Sequence, residues 1–303
     1  MQIVVRQLSG LGNQIFQYAA GLYYARKYQA ALRVASDPVA DRPSHGYPRP
    51  FQLNQFRIPA PMNKSTLLDE LQCTLNPRAE TASSMVRGFL NSQLFVEPEQ
   101  YRFYPELPYL RFPATVYLRA YWQAAGYAEA VATELRPQLA LRQDPRGKDA
   151  EVLSLIASSP CPVSVHVRRG DYLVGKQTMA LPLSYYRMAW RKMLAELEGA
   201  EFFVFSDDIV FAREHLPGEG KRHFVAHNKA STAYQDLRLM AACRHHIIAN
   251  SSFSWWGAWM NPNPEKVVIA PKYWWNNTES FYPDLFPSRW RLLDNLAAGV
   301  CER

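Results

Sequence analysis

Between residues 162 and 172 the chain reads Pro-Val-Ser-Val-His-Val-Arg-Arg-Gly-Asp-Tyr. The run from Pro162 to Val167 is apolar and β-branched, the pattern of a buried strand, and it ends in Arg168, Arg169, Gly170 and Asp171. Strand ends in open α/β sheets are where ligands bind. Two adjacent guanidinium groups present planar, permanently charged donor forks, which match a diphosphate better than a lysine's point charge does. Gly170 allows the backbone to turn and approach a ligand closely. The competing reading is a strand whose arginines extend into solvent or pair with Asp171.

Three further segments gather polar groups at expected strand ends or helix starts. Gly10, Gly12, Asn13 and Gln14 follow the first strand, where a glycine turn before a helix offers free N–H groups to an anion. The third glycine of a dinucleotide fingerprint is missing, and Asn13 as a plain helix N-cap fits equally well. Ser206, Asp207 and Asp208 close a second strand; an acidic pair there suits a metal ion, but a cap by Ser206 or Asp207 for a helix starting near Ile209 is the stronger reading. Asn250 to Gly257 runs hydroxyls (Ser251, Ser252, Ser254) and Phe253 into a helix, a setting for phosphate or sugar hydroxyls. Asp236 lies in an otherwise apolar helix, where a carboxylate can accept both N–H groups of a guanine edge or simply face solvent.

These segments need elements to position them. The opening predicts a strand, a glycine turn and an amphipathic helix over 15–28, then a strand at 32–35. Residues 37–113 are broken by eleven prolines, which predicts long loops and a few short helices. A strand at 116–119 and a helix to about residue 135 follow Tyr121, Trp122 and Gln123. Residues 142–148, with Pro145 and Gly147, read as a linker. Beyond it, helices at 151–158, 184–197, 208–216, 231–243 and 254–260 alternate with strands at 163–167, 202–206, 223–225, 246–249 and 266–270. Such alternation predicts crossover units on a parallel sheet. The expectation is an α/β chain of two open halves, 1–148 and 149–303, facing each other across a cleft.

At 303 residues, 48% hydrophobic and 20% charged, the chain has the makeup of a core-forming protein of two ordinary domains. A formal net charge of +7 favours an acidic partner. The basic residues are scattered and carry no nucleic-acid motif, so a phosphorylated small molecule is the better candidate. Part of the aromatic content could line a sugar or base pocket. Four cysteines stand far apart, which argues against a zinc site or a disulfide scaffold. No signal peptide or spanning segment is read, and the Asn-x-Ser/Thr triplets at Asn63, Asn250 and Asn276 are taken as chance matches. The expected location is the cytoplasm, with loose electrostatic contact to the inner membrane surface.

The ordered blocks at 10–19 (Gly-Leu-Gly-Asn-Gln-Ile-Phe-Gln-Tyr-Ala), 166–172, 205–208 and 250–259 together resemble the α-1,2-fucosyltransferases, in particular the bacterial members of glycosyltransferase family 11. Tyr121-Trp122-Gln123 is similar to a further family block. The resemblance implies a GT-B-like pair of Rossmann-type domains, an acceptor-side domain at 1–148 and a GDP-fucose-binding domain at 149–303. It also implies inverting transfer from GDP-β-L-fucose to the 2-hydroxyl of a terminal galactose on an oligosaccharide or glycolipid, with no metal or other cofactor.

By similarity to the wider superfamily, Arg168 holds the β-phosphate with Arg169 in support, His166 and Asp236 contact guanine, and Ser252, flanked by Ser251 and Phe253, contacts phosphate. Asn13 and Gln14 complete the donor-binding set. Relatives place an acid shortly after the arginines where Lys176 stands here, so the base cannot be carried over. Asp171 is one candidate, the alternatives being that it only braces the arginines, that an acid of the loop-rich first half serves, or that no strong base is used. Ser9 stands where many members carry glycine, a difference read as minor. The alternatives are another GDP-sugar transferase or a sugar-binding module without catalysis. Surface polysaccharide assembly is the setting the family implies.

Overall fold

The computed structural model describes residues 1–36, 49–66, 69, 91–108, 110–111, 113–174, 180–275 and 280–296. Lys176, Asn276, Cys73, Cys301 and much of the proline-rich stretch lie outside them. Two compact units are present, one of residues 1–44, 48–142 and 283–286, the other of 45–47, 143–282 and 287–303.

The first unit is built on a five-stranded sheet: β1 (Gln2–Gln7), β2 (Ala31–Ser36), β3 (Met62–Lys64), β4 (Ser92–Val96) and β5 (Thr115–Arg119), in the order β3-β2-β1-β5-β4. Every pairing is parallel. Among its described residues the named helices are α1 (Leu11–Lys27), α2 (Ala125–Ala130) and α3 (Ala132–Gln138). Ile3, Val5, Val116 and Leu118 pack from the sheet against Ala20, Tyr24, Trp122 and Tyr127. A Cβ on Gly21 would fall 2.2 Å from Val5 Cγ2, so α1 lies on β1 at a distance only glycine permits.

Two expectations change here. The helix opens at Leu11, not Ile15, and Gly10 is its N-cap, so Asn13 sits inside the first turn and caps nothing. The cause lies one residue earlier: Ser9 takes φ 66°, the left-handed region that favours glycine, and turns the chain into the helix before Gly10. The serine-for-glycine difference therefore falls on the turn itself. Within 37–113, the described residues hold β3, β4 and a 3₁₀ turn at Leu53–Gln55 where loops and short helices were expected. Met62-Asn-Lys and Ser92-Gln-Leu-Phe-Val are short strands at opposite edges of the sheet, and half-exposed edge strands carry no continuous apolar run to mark them.

The second unit has six strands: β6 (Cys161–Val167), β7 (Ala200–Ser206), β8 (Lys221–Val225), β9 (His245–Ile247), β10 (Val268–Pro271) and β11 (Arg291–Leu293). Their order, β11-β10-β9-β6-β7-β8, is the Rossmann order 3-2-1-4-5-6, all parallel. Helices α4 (Lys148–Ser158), α5 (Leu183–Glu196), α6 (Ile209–His215), α7 (Ala233–Ala242) and α8 (Ser252–Met260) complete the alternation.

All seven residues of β6 are buried because both faces of the sheet are covered. Val163, Val165 and Val167 meet Tyr185, Tyr186 and Trp190 of α5, whereas Phe203 and Phe205 of β7 meet Leu239 and Met240 of α7 and Ile156 of α4. The tryptophans Trp190, Trp255, Trp256 and Trp259 are buried in this core. Those aromatics build the interior and do not line a sugar pocket.

Candidate active site

β6 is a central strand, and its carboxyl end delivers Arg168 and Arg169 into a loop closed by a 3₁₀ turn at Gly170–Leu173. Arg168 is held on two sides: Nη2 donates to Asp171 Oδ1 at 2.6 Å, and Nη1 lies 3.0 Å from Asp207 Oδ2. Burial opposes its charge, but Asp207 and Asp171 outweigh that penalty and keep the guanidinium above its ordinary pKa. The guanidinium also lies 5.5 Å from the centre of the Tyr172 ring. Arg169 pairs with Asp208 (3.3 Å) and lies over Phe211, 3.3 Å from the ring centroid. A guanidinium has five N–H donors, so neither side chain is exhausted by these contacts.

The acidic pair divides its work. Asp207 Oδ1 accepts the Arg169 backbone N–H at 2.8 Å, and Asp208 Oδ1 accepts Phe211 N–H at 3.1 Å as the N-cap of α6. The expectation that Ser206 or Asp207 caps this helix is therefore corrected to Asp208; Ser206 Oγ instead accepts the Asp208 N–H. The arginine loop needs Asp207 for its own shape, which leaves the next residue to start the helix. Among the described residues no group of three or more His, Cys, Asp or Glu is placed to hold a metal ion.

His166, on β6, is buried, with its backbone carbonyl accepting from Tyr186 Oη and its ring 5.7 Å from that of Phe253. Burial, with Arg168 nearby, drops its pKa to about 3, so the imidazole is neutral at physiological pH. Its Nδ1 is buried and has no hydrogen-bond partner among the described residues. Ser251 is the N-cap of α8, accepting the Phe253 N–H at 3.3 Å, and Ser252 opens the helix. Tyr172 Oη donates to Asn250 O at 3.1 Å, which ties the arginine loop to the α8 start. Ser254 instead bonds back to the Ser251 and Ala249 carbonyls, as a buried structural hydroxyl.

Asp236 belongs to α7, which packs on α8 so tightly that a Cβ at Gly257 would come within 2.9 Å of Met240 Cβ. Burial raises the Asp236 carboxyl to about 6, partly offset by the Asn228 hydrogen bond and by His227. Asn228 Nδ2 bridges Asp236 Oδ1 (2.8 Å) and Asp149 Oδ1 (3.0 Å), and His227 Nε2 lies 2.8 Å from the same Asp149 oxygen. Sequence reasoning missed these three. His227 and Asn228 lie one residue past the end of β8, after Ala226, a strand-end signal like the one that exposed Arg168.

The second unit therefore gathers His166, Arg168, Arg169, Asp171, Ser251, Ser252, Phe253 and Asp236 along the carboxyl edge of one sheet. Asn13 and Gln14 belong to the first unit. Gln14 is buried and committed to backbone: Nε2 donates to Ser9 O and Pro50 O, and Oε1 accepts the Gln52 N–H. Asn13 Oδ1 accepts from Gln123 Nε2. No helix among the described residues is long and apolar enough to cross a membrane.

The chain is 28% identical to the O-antigen biosynthesis glycosyltransferase WbnK of Escherichia coli, over 88% of this chain and 92% of that protein. It is 29% identical to the alpha-1,2-colitosyltransferase of the same species, over 96% and 98%. A shorter match, 30% over 32% of this chain and 28% of the relative, is to human galactoside alpha-(1,2)-fucosyltransferase 1. Among solved structures, the fucosyltransferase NodZ from Bradyrhizobium superposes with a TM-score of 0.51 at 17% identity, covering 84% of this chain and 91% of that one. This likeness identifies the two parallel-sheet units as the GT-B fold. The model of Glycosyl transferase family 11 matches residues 54–292, which take in β3 to β5 of the first sheet and every second-unit residue gathered above, and the chain is a glycosyltransferase belonging to that family.

Proposed function

We propose that the protein transfers L-fucose from GDP-β-L-fucose to the 2-hydroxyl of a galactose-terminated oligosaccharide or glycolipid, with inversion and without a metal. The observation that carries this reading is Arg168, anchored at the end of a buried strand between Asp171 and Asp207 with N–H donors to spare. In the reaction the galactose O2 forms a bond to the fucose anomeric carbon while the bond from that carbon to the phosphate oxygen breaks. The electron pair leaves on the β-phosphate and the hydroxyl proton is released. Negative charge grows on GDP as the bond breaks, so fixed guanidinium donors favour the transition state over the ground state. The α8 N-terminus with Ser251 and Ser252 adds N–H groups and a positive dipole end beside them.

Asp171 acts through Arg168, as a brace, and its contact with that guanidinium supports this role. His166 and Asp236 take the guanine edge: a neutral imidazole with an open buried nitrogen, and a carboxylate that can accept two N–H groups. Phe253 packs beside the His166 ring. Residues 149–303 form the donor-binding domain, and 1–148 the acceptor side, where Asn13 and Gln14 shape the α1 start. The setting is bacterial surface polysaccharide assembly.

The test is transfer to lactose and N-acetyllactosamine from GDP-fucose against GDP-mannose, with linkage read by NMR and with EDTA present. Loss of transfer in EDTA refutes metal independence; a link other than α-1,2 refutes the regiochemistry. A second reading is favoured by the colitosyltransferase relative: the same donor site with GDP-colitose as the sugar nucleotide. Preferential turnover of GDP-colitose over GDP-fucose selects it.

A further inference from the structure

The first unit holds a buried carboxyl that the proposed chemistry does not use. Glu97 follows β4 directly, and its Oε2 accepts the Trp122 backbone N–H at 3.0 Å. Three non-glycine residues around it take left-handed backbone: Tyr101 (φ 63°), Ala120 (φ 146°) and Trp122 (φ 55°). Such conformations persist only where the surroundings over-determine them, and they cluster at functional sites. Here they aim the N–H groups of Trp122, Tyr121 and Tyr101 at one carboxyl.

The same place collects unpaired polar atoms. Glu97 Oε1, Trp122 Nε1 and both side-chain polar atoms of Gln7 are buried and have no hydrogen-bond partner among the described residues. Extending the registers Val96–Arg119 and Val5–Leu118 sets Glu97, Ala120 and Gln7 side by side at the carboxyl edge of the sheet. Buried polar groups are normally paired, so these atoms have hydrogen-bonding capacity left for water or a ligand. The turn beyond it carries Tyr121, 37% exposed, and Gln123, which is only 7% exposed and whose amide is tied to Asn13. An exposed aromatic face beside oriented amides suits a pyranose, whose C–H face stacks while its hydroxyls bond. The edge also lies at the switch point between β1 and β5, where ligands of open parallel sheets bind.

We propose that Tyr121 and Gln123 form the subsite for the acceptor hexose, and that Glu97 is the positioning residue that holds the left-handed turn carrying them. This rests on the transferase reading above. Burial lifts the Glu97 carboxyl to about 7, partly offset by the backbone N–H groups it faces. The titratable groups that feel its charge are Tyr104, in the loop after β4, and Tyr127 of α2. Tyr127 in turn bonds Tyr24 of α1. No Lys or Arg contributes to the Glu97 shift. A carboxyl held near 7 changes charge as pH moves through neutrality, and its grip on the turn changes with it.

The experiment compares wild type, Glu97→Gln, Glu97→Ala and Tyr121→Ala in two assays. Lactose binding to the GDP-loaded protein is followed by saturation-transfer NMR, and transfer kinetics are measured from pH 5.5 to 8.5. Tyr121→Ala is expected to cut the lactose signal at least fivefold while the GDP Kd moves less than twofold. Glu97→Ala raises the acceptor KM about tenfold. Glu97→Gln, which still accepts the Trp122 N–H, keeps the KM near wild type but removes an inflection near pH 7 from acceptor kcat/KM. An unchanged lactose signal in Tyr121→Ala, a wild-type pH profile in Glu97→Gln, or equal losses of GDP and acceptor affinity in Glu97→Ala each overturn the proposal. Lactose binding without any transfer by the wild type refutes the transferase reading and leaves the subsite standing. No lactose binding by the wild type refutes the subsite.

Discussion

Arg168 Nη1 and Asp207 Oδ2 stand 3.0 Å apart, although the two residues come from the ends of different strands, β6 and β7. The guanidinium is thus fixed in place before any ligand arrives, by a neighbouring strand as well as by Asp171 in its own loop. Preorganised donors of this kind cost little reorganisation when charge develops. Arg168→Ala should lower kcat roughly 100- to 1,000-fold while the protein stays folded, as judged by circular dichroism. Activity within a few-fold of wild type would falsify the role given to this residue. Arg168→Lys should recover only part of the loss, because an ammonium keeps the charge and loses the fork.

Donor affinity should fall in acid. In the role proposed above, Asp236, held near 6 by burial, would accept guanine N–H groups only as a carboxylate, so the GDP Kd is expected to rise as pH drops from 7 to 5. Calorimetric titration of Asp236→Asn should show weak binding with the acid dependence gone. Retention of that dependence in the variant assigns it to another group.

The Glu97 carboxyl makes its own stability signature. Its folded pKa, about 7, lies above its unfolded value of 4.5, so the folded state binds the proton more tightly. Stability from this group is fully present below pH 4.5 and lost as pH rises to 7, by roughly 3 kcal/mol at 1.36 kcal/mol per pKa unit. The Tm of Glu97→Gln relative to wild type should therefore climb across that window. A constant offset between the two proteins contradicts the raised pKa.

Two backbone positions offer structural tests. Ser9→Gly removes a left-handed strain of about 1 kcal/mol but gives some of it back to the unfolded chain. Its Tm should equal or slightly exceed that of the wild type. Gly21→Ala drives a methyl group to within 2.2 Å of Val5 Cγ2 and should cost about 1–3 kcal/mol of stability by overpacking, read from urea midpoints.

In the second unit β6, β7 and β10 were legible as apolar runs set between helices, with chemistry-bearing residues just past β6 and β7, whereas β8 and β9 carry Lys, Arg and His among their few residues and the edge strand β11, Arg-Leu-Leu, was not expected at all. Val163 to Val167 leading into Arg168 is the plainest case. The helix boundaries around Ser251 and Asp208 were off by one or two residues, since several adjacent Ser and Asp residues could each cap. The first unit was less legible. Met62 to Lys64 and Ser92 to Val96 gain their strand character from neighbours in the sheet, not from their own pattern. Glu97 gave no sequence signal, because its burial depends on left-handed turns at Tyr101, Ala120 and Trp122 that no glycine announces.

The distribution of indoles has a practical consequence for anyone following these variants by light. Trp122 alone of the eight tryptophans lies in the first unit, and the other seven belong to the second. Emission recorded during denaturation will mostly register unfolding of the second unit, while melting of the first passes almost unseen. Replacing Trp122 with phenylalanine and subtracting the two traces isolates that quieter transition.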